Sequence, residues 1–398
     1  MSARFISSVL ISFVMLWAAA GCARRPEASV LNPELLLAAK KGDNPAVLRL
    51  LKRGANLEAK DENGSTPLYL AAEFGRAETV RLLLAKGADA VAGGMNGDDA
   101  VQNAVKQGNF KRLEVLLERG ATLKAKENAL FLAAESQPMS IPLSPEEEQR
   151  VPGAQKKALD GAEEFPVFDF AQTVRVLLDN GVSLEARGDG GDTPHIRAAA
   201  FGQTNTVKLL LDRGADLEAR DNGGNTALIA AACSCAITDM PYTLDSIKLL
   251  LAKNAKVNAR AKDGATALMA ASSWGRTEIV DLLLDHGAEI DAIDNDGNTA
   301  LITAASGSAL ATADAVEALL ARGANIEARN KDGDTALLLT ASKGGYQRVE
   351  ILKLLLRNGA NVYVRDKDGK TPMALARKNG FPELFPLLKN ALAGATAK

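Results

Sequence analysis

Few residues in this chain have the chemistry for catalysis or metal binding, and they are not grouped for it. Cys233-Ser234-Cys235 sets two thiols two positions apart. In an oxidising compartment the pair could close a small disulfide ring, a tight and strained geometry. As metal ligands the two thiolates would need two more partners, and no histidine is near in sequence. Two small half-buried thiols at a helix end is the commoner state of such a pair. A thiol-dependent redox or metal-binding protein therefore stays open as the alternative to a pure binding function. The chain has only two histidines. His286 precedes Gly287 at an expected helix end, where a cation suits the negative pole of the helix dipole. His195, within Thr193-Pro194-His195-Ile196, reads as structural rather than catalytic. No Ser/His/Asp or Cys/His set can be assembled. Gly190-Gly191 and Gly223-Gly224 lack the Lys and the helix that a phosphate loop requires. The expectation is no enzyme, no metal and no cofactor.

What positions these residues is a repeat. Ala261–Ile293 reads AKDGATALMAASSWGRTEIVDLLLDHGAEIDAI, and nearly all of the chain is that unit written again. Asp263-Gly264 is a turn signal. Thr266 can cap a short helix whose Ala267, Leu268, Ala270 and Ala271 form a small-residue face. Gly275 reverses the chain. A second helix follows with Ile279, Leu282 and Leu283 at the spacing of a buried face. Two helices this short cannot bury both faces alone, so copies must stack on either side.

The pattern D-x-x-G-x-T-x-L-x-x-A-A…G…E-I-V-x-L-L-L-x-x-G-A-x-I resembles the ankyrin repeat, and Thr66-Pro67 and Thr371-Pro372 carry its TP dipeptide. The resemblance runs from about Leu31 to the C-terminus. It implies an all-α solenoid of helix-turn-helix repeats, each with a β-turn finger, an inner helix and an outer helix, with a concave face for a protein partner. A fingerless first copy is followed by repeats starting at Asp61, Gly94, Glu127, Gly188, Asp221, Ala261, Asp294, Asn330 and Asp366, ten units in all. The copies at Gly94 and Glu127 are degenerate, and stacked helices with poorer fingers are expected there. In the last copy Lys389 replaces a Leu and Pro382 and Pro386 interrupt the outer-helix pattern, as suits a polar cap.

The start of the chain has a different character. Arg4 precedes a mostly apolar run, Phe5 to Leu16, and Ala18-Ala19-Ala20-Gly21 lead into Cys22. That is the layout of a secretory signal. The Ala-Gly-Cys ending resembles a bacterial lipobox, which implies lipid attachment at Cys22 and acylation after cleavage. A plain signal peptide or a short membrane anchor is the other reading. The expected organisation is a signal peptide over 1–21, a tether over 22–31, and a repeat domain over 32–398 with an inserted loop at 137–170. By resemblance to enterobacterial lipoprotein sorting, Ala23 rather than Asp after the cysteine implies the outer membrane, facing the periplasm.

Thr66 to Leu84, Thr193 to Leu211 and Thr266 to Leu284 each span 18 positions. Asn128 to Leu178 spans 50, Thr226 to Leu251 25, and Thr299 to Leu320 and Thr335 to Leu356 both 21. Every insertion thus falls between the two helices of a repeat, on one edge of the stack, which is either a binding edge or the most tolerant site. Phe74, Phe201 and Trp274 share one position before the turn glycine and are either candidate partner contacts or rings that cover a neighbour's backbone. Tyr242, Tyr346 and Phe168 on the inserted edge are further candidates, Phe168 in a segment that packs back on the scaffold or else meets a partner. Arg187, Arg220, Arg260, Arg329 and Arg365 recur at the start of fingers, close to Asp189, Asp221, Asp263, Asp332 and Asp368. They read as a solvated ladder of alternating charge rather than an anion stripe. With 47 Lys and Arg against 49 Asp and Glu, no strong overall field favours nucleic acid or a lipid surface. The function expected is a non-catalytic scaffold of the bacterial cell envelope that holds a protein partner through its concave face, fingers and inserted loops, with membrane contact through lipid only and no small-molecule substrate. An effector acting on host proteins is a further alternative.

Overall fold

A computed structural model describes residues 28–90, 92–93, 100–106, 110–118, 122–136, 170–233, 242–307, 313–343 and 345–396. The leader 1–21, Cys22, Phe168, Cys235 and positions 137–169 of the insertion lie outside the described residues, as do the side chains of Tyr242 and Tyr346. The described residues form twenty α-helices, one 3-10 turn and no strand, an all-α repeat solenoid. Contacts divide the chain into two units, one of residues 1–132 and 142–182, the other of residues 133–141 and 183–398.

The first unit is built of paired helices. These are α1 (Ala28–Lys41) with α2 (Asn44–Lys52), α3 (Pro67–Glu73) with α4 (Ala77–Ala85), and α5 (Ala100–Lys106) with α6 (Phe110–Glu118). Most of α7 (Leu123–Glu135) and all of α8 (Phe170–Asp179) complete it. Inner helices α1, α3 and α5 stack in one layer, and outer helices α2, α4, α6 and α8 in a second. Each short helix is fixed by its ends. The Thr66 hydroxyl accepts from the Tyr69 N–H at 3.2 Å, and Asp43 caps α2 through the Ala46 N–H at 3.0 Å.

The second unit repeats the plan six times. Its inner helices are α9 (Pro194–Ala200), α11 (Ala227–Cys233), α13 (Ala267–Ser273), α15 (Ala300–Ser306), α17 (Ala336–Ser342) and α19 (Pro372–Asn379). Its outer helices are α10 (Thr204–Asp212), α12 (Tyr242–Ala252), α14 (Thr277–Asp285), α16 (Ala313–Ala321), α18 (Tyr346–Arg357) and α20 (Phe385–Thr396). Each inner helix packs on the next inner helix and each outer on the next outer. Ala271, Ala304 and Ala341 are fully buried where inner helices meet, and Val280, Leu283, Val316, Leu319, Leu352 and Leu355 fill the outer layer. Burying each such Leu contributes about 1.5–3 kcal/mol, so the core is stored layer by layer.

Four details depart from the sequence reading. Helix α1 starts at Ala28 rather than at Asn32, inside the expected tether, so Pro33 lies within it. The missing proline N–H falls in the second turn, where Pro33 is exposed and water can satisfy the freed carbonyl. The degenerate copy at Glu127 has no finger: Leu123–Glu135 is one helix, capped by Thr122 through the Ala125 N–H at 3.2 Å. Its Ala-, Leu- and Lys-rich run holds no turn glycine, so propensity carries the helix through. Pro382 and Pro386 do not interrupt an outer helix; they open a 3-10 turn (Pro382–Leu384) and the first turn of α20, where proline is favoured. Leu384 and Leu388 remain fully buried beneath them. Finally, Asn254 stands at φ +66° where seven other copies, among the described residues, have a glycine at positive φ after the outer helix.

Candidate functional site

The fingers are built by a side chain that folds the backbone onto itself. Asp61 accepts from the Ser65 N–H at 2.8 Å and the Asn63 N–H at 2.9 Å, while the Gly64 N–H returns to the Asp61 carbonyl at 3.0 Å. Asp221, Asp294, Asn330 and Asp366 do the same through the N–H groups of Asn225, Asn298, Asp334 and Lys370. The turn glycine is needed twice over. Gly264 sits at φ +85°, and a Cβ there would come within 2.8 Å of the Asn295 nitrogen in the next finger.

Adjacent fingers of the second unit are joined by three kinds of rung. The first is backbone to backbone: Asn222, Lys262, Asn295 and Lys331 donate to the carbonyls of Gly190, Gly223, Asp263 and Asp296 at 2.7–2.9 Å, and Lys367 to Asp332 at 3.4 Å. The second is an acid in the segment that leaves the outer helix of one copy, accepting the N–H of the next. Glu185 takes Asp216, Glu218 takes Lys256, and Glu327 takes Asn361, at 2.9, 2.8 and 2.7 Å. Glu58 makes the same bond to Asp89 at 2.9 Å in the first unit.

The third rung is the arginine row. Arg187 Nη1 donates to Gly191 O at 2.7 Å and to Arg220 O at 2.5 Å. Arg220 repeats this on Gly224 and Arg260, both at 2.6 Å, and Arg329 on Gly333 and Arg365 at 2.7 and 2.8 Å. Arg260 reaches the carbonyl of Ile293, and Arg365 that of Gly369. The row is exposed, as the sequence implied, but these guanidinium groups clip backbone carbonyls of one finger to the next instead of alternating with the neighbouring acids. Ile293 occupies the arginine position of its copy and is exposed, leaving one gap. Aligning the copies was the signal that would have found the gap; the clip itself shows only once the repeats are stacked.

The candidate aromatics lie at helix ends. Phe74, Phe201 and Trp274 are the C-cap residues of α3, α9 and α13, each followed by a glycine at positive φ. Phe74 and Phe201 are exposed and Trp274 is half-buried. The insertions do fall between paired helices, and two of them lengthen the outer helix, α12 to 11 residues and α18 to 12. The added turn of α18 serves a structural purpose that the sequence did not reveal. Arg348, 7% exposed, donates to the carbonyls of Ala305 and Gly307, and Lys343 Nζ to that of Ser306 at 2.6 Å. Two cations thus satisfy the C-terminal carbonyls of α15. Burial lowers the pKa of both, and Lys343 is lowered further by Arg348.

His195 is fully buried. Thr193 Oγ1 and His195 Nδ1 are 2.9 Å apart, so this threonine meets the ring instead of capping α9. Nε2 has no well-formed hydrogen bond, although the Leu217 backbone lies beside the ring. Burial holds its pKa below the ordinary value of 6.5, against the opposing pull of Glu185 and Asp216. In the same helix Arg197 is gripped by Asp192 at 2.7 Å and Glu135 at 2.8 Å, which raises its pKa despite burial. His286 Nδ1 donates to Leu282 O at 2.8 Å, a helix-end contact. Cys233 ends α11 and is exposed, and its partner in sequence, Cys235, lies outside the described residues. Among the described residues no group of three His, Cys, Asp or Glu side chains could hold a metal, and no helix is long and apolar enough to cross a membrane.

A sequence model of the family described as Ankyrin repeats (3 copies) matches residues 35–127, 168–242, 236–330 and 308–396. No curated protein matches the sequence.

Proposed function

Because the chain belongs to the ankyrin-repeat family, we propose that it is a non-catalytic scaffold of the bacterial cell envelope, anchored by lipid at Cys22 and facing the periplasm. Ankyrin repeats form a protein–protein interaction domain, and such proteins are generally non-catalytic scaffolds. The envelope reading is supported by the leader: the apolar run Phe5 to Leu16, the small residues after it, and Cys22.

One observation carries the binding reading. Finger polar groups are largely consumed in holding copies together, whereas Phe201 and Trp274 stand at helix ends with part of their surface open. Rigidly mounted aromatics of this kind favour binding hot spots. The protein partner engages the inner-helix side, with the fingers and inserted edge as flanking contacts. The test is crosslinking in intact envelopes followed by capture of the wild type and of Phe201→Ala/Trp274→Ala. A specific partner lost in the variant, with an unchanged urea midpoint, supports the reading. A partner retained at full yield, or lost only together with stability, sinks it.

A further inference from the structure

Among the described residues no helix precedes the first repeat, residues 28–53, and the side of α1 away from α3 is chemically unlike a solubilising cap. On α1, Val30 and Leu37 are 55% and 50% exposed, and exposed Pro33 lies between them. Positions 30, 33 and 37 share one helical face. Phe74, at the end of α3, extends the apolar surface beneath Lys40, whose Nζ lies 4.4 Å from the ring centre. Three of the seven exposed large hydrophobic residues among the described residues are therefore gathered here. A terminal repeat ordinarily presents a polar outer face, so this concentration needs a cover.

The charge around it says what cover fits. Lys40, Lys41, Arg49, Lys52 and Arg53 are all exposed on the same repeat. Within residues 28–53 the carboxylates are Glu34, on the same face as Val30 and Leu37, and Asp43, which is engaged in capping α2 at 3.0 Å; Asp61 and Glu62 of the next finger line the pocket beside Pro33. Five cations against two carboxylates is a local basic surplus in a chain whose formal net charge is -2. An apolar stripe bordered by Lys and Arg is the chemistry of a helix lying at a lipid surface, its side chains at the acyl boundary and its cations among anionic headgroups.

We infer that the open side of the first repeat, Val30, Pro33 and Leu37 with Lys40, Lys41 and Lys52, is a contact for an anionic phospholipid surface. The length of chain outside the structure agrees. Five residues, Ala23 to Glu27, separate Cys22 from α1. Fully extended, that connection reaches roughly 20 Å at about 3.5 Å per residue. A lipid on Cys22 would therefore hold α1 within that distance of the bilayer. The placement rests on the anchor proposed above; the surface chemistry of α1 does not.

The experiment separates the two. The processed chain is produced from residue 22 with Cys22→Ser, which removes lipidation and retains every described residue. Its sedimentation with vesicles of phosphatidylethanolamine and phosphatidylglycerol is compared with that on phosphatidylcholine alone. Binding to the anionic vesicles only, weakened by salt, is expected. Leu37→Asp and the charge-only pair Lys41→Glu/Lys52→Glu should each lower it about tenfold or more, with helical circular dichroism unchanged. Leu123→Asp, at an exposed leucine elsewhere, should not change it. No binding by the parent, or equal binding by the α1 variants, overturns the inference. Mass analysis of Cys22 in protein isolated from its own membranes reads the anchor independently. An acylated Cys22 without an α1 effect leaves the anchor and removes the surface; an unmodified Cys22 with an α1 effect does the reverse.

Discussion

Arg220 donates a hydrogen bond to the backbone carbonyl of Arg260, its own counterpart one repeat further on, at 2.6 Å. The same nitrogen also holds the Gly224 carbonyl of its own finger at 2.6 Å. One cation therefore ties the shape of a finger to the spacing between fingers. Arg220→Ala should cost about 1 kcal/mol, the low end for charged hydrogen bonds because the group is exposed. Urea unfolding checks this, and hydrogen exchange should quicken first at Asn225 and Lys262. A variant with unchanged midpoint and unchanged exchange would show the clip to be idle.

At the gap in the row the sign reverses. Ile293 is 52% exposed at a site where five other copies carry arginine. Ile293→Arg should reach the carbonyls of Gly297 and Arg329, by analogy with Arg329 on Gly333 and Arg365. A gain of about 0.5–1 kcal/mol in urea is expected. If the variant is neutral or weaker, equivalence of the copies at this position is wrong.

Asn254 ends α12 at φ +66°, alone among the described non-glycine residues in having positive φ. Asparagine tolerates that region better than other side chains but still less well than glycine. Asn254→Gly should raise stability by about 0.5–1 kcal/mol. Thermal and urea midpoints both read it, and a loss would mean that the Asn side chain makes a contact worth more than the backbone relief.

His195 gives the fold an acid limit. Its folded pKa lies below the ordinary 6.5, chiefly through burial. The unfolded chain therefore binds the extra proton first. Stability is fully present above pH 6.5 and falls as pH drops through 6.5 toward the lower folded value, with a slope of at most about 1.4 kcal/mol per pH unit. Substituting leucine, which fits the buried site without a titrating ring, should flatten this limb. The readout is the difference in urea midpoint between wild type and His195→Leu at pH 8 and at roughly pH 5. Parallel curves would assign the acid limb to other groups.

The repeat, its threonine caps and the edge carrying the insertions were legible because each is a matter of spacing along the chain. Thr66, Thr266 and Thr299 cap their helices as spacing alone requires. The arginine row was visible, but its role was not. Spacing shows Asp221 beside Arg220; it does not show the Arg260 carbonyl, which comes into reach only once a repeat is stacked. Arg348 escaped notice for the same reason, since its partners lie about forty positions back at Ala305 and Gly307. The helix over Leu123–Glu135 was missed differently: the repeat template predicted a finger where local helix propensity prevails.

The rungs between fingers join equivalent atoms of successive copies, and this makes the repeats interchangeable parts. A block such as 188–220 begins and ends at matching points of the ladder. A second copy inserted after Arg220 would meet the same finger rungs on both sides, though its Arg197 would lack the Glu135 partner. The chain can therefore be lengthened in whole blocks by duplication, without any new contact having to arise first. The gap at Ile293 is then a place where one block has drifted from its siblings, tolerated because the backbone rung from Lys331 to Asp296 at 2.8 Å still holds the joint closed.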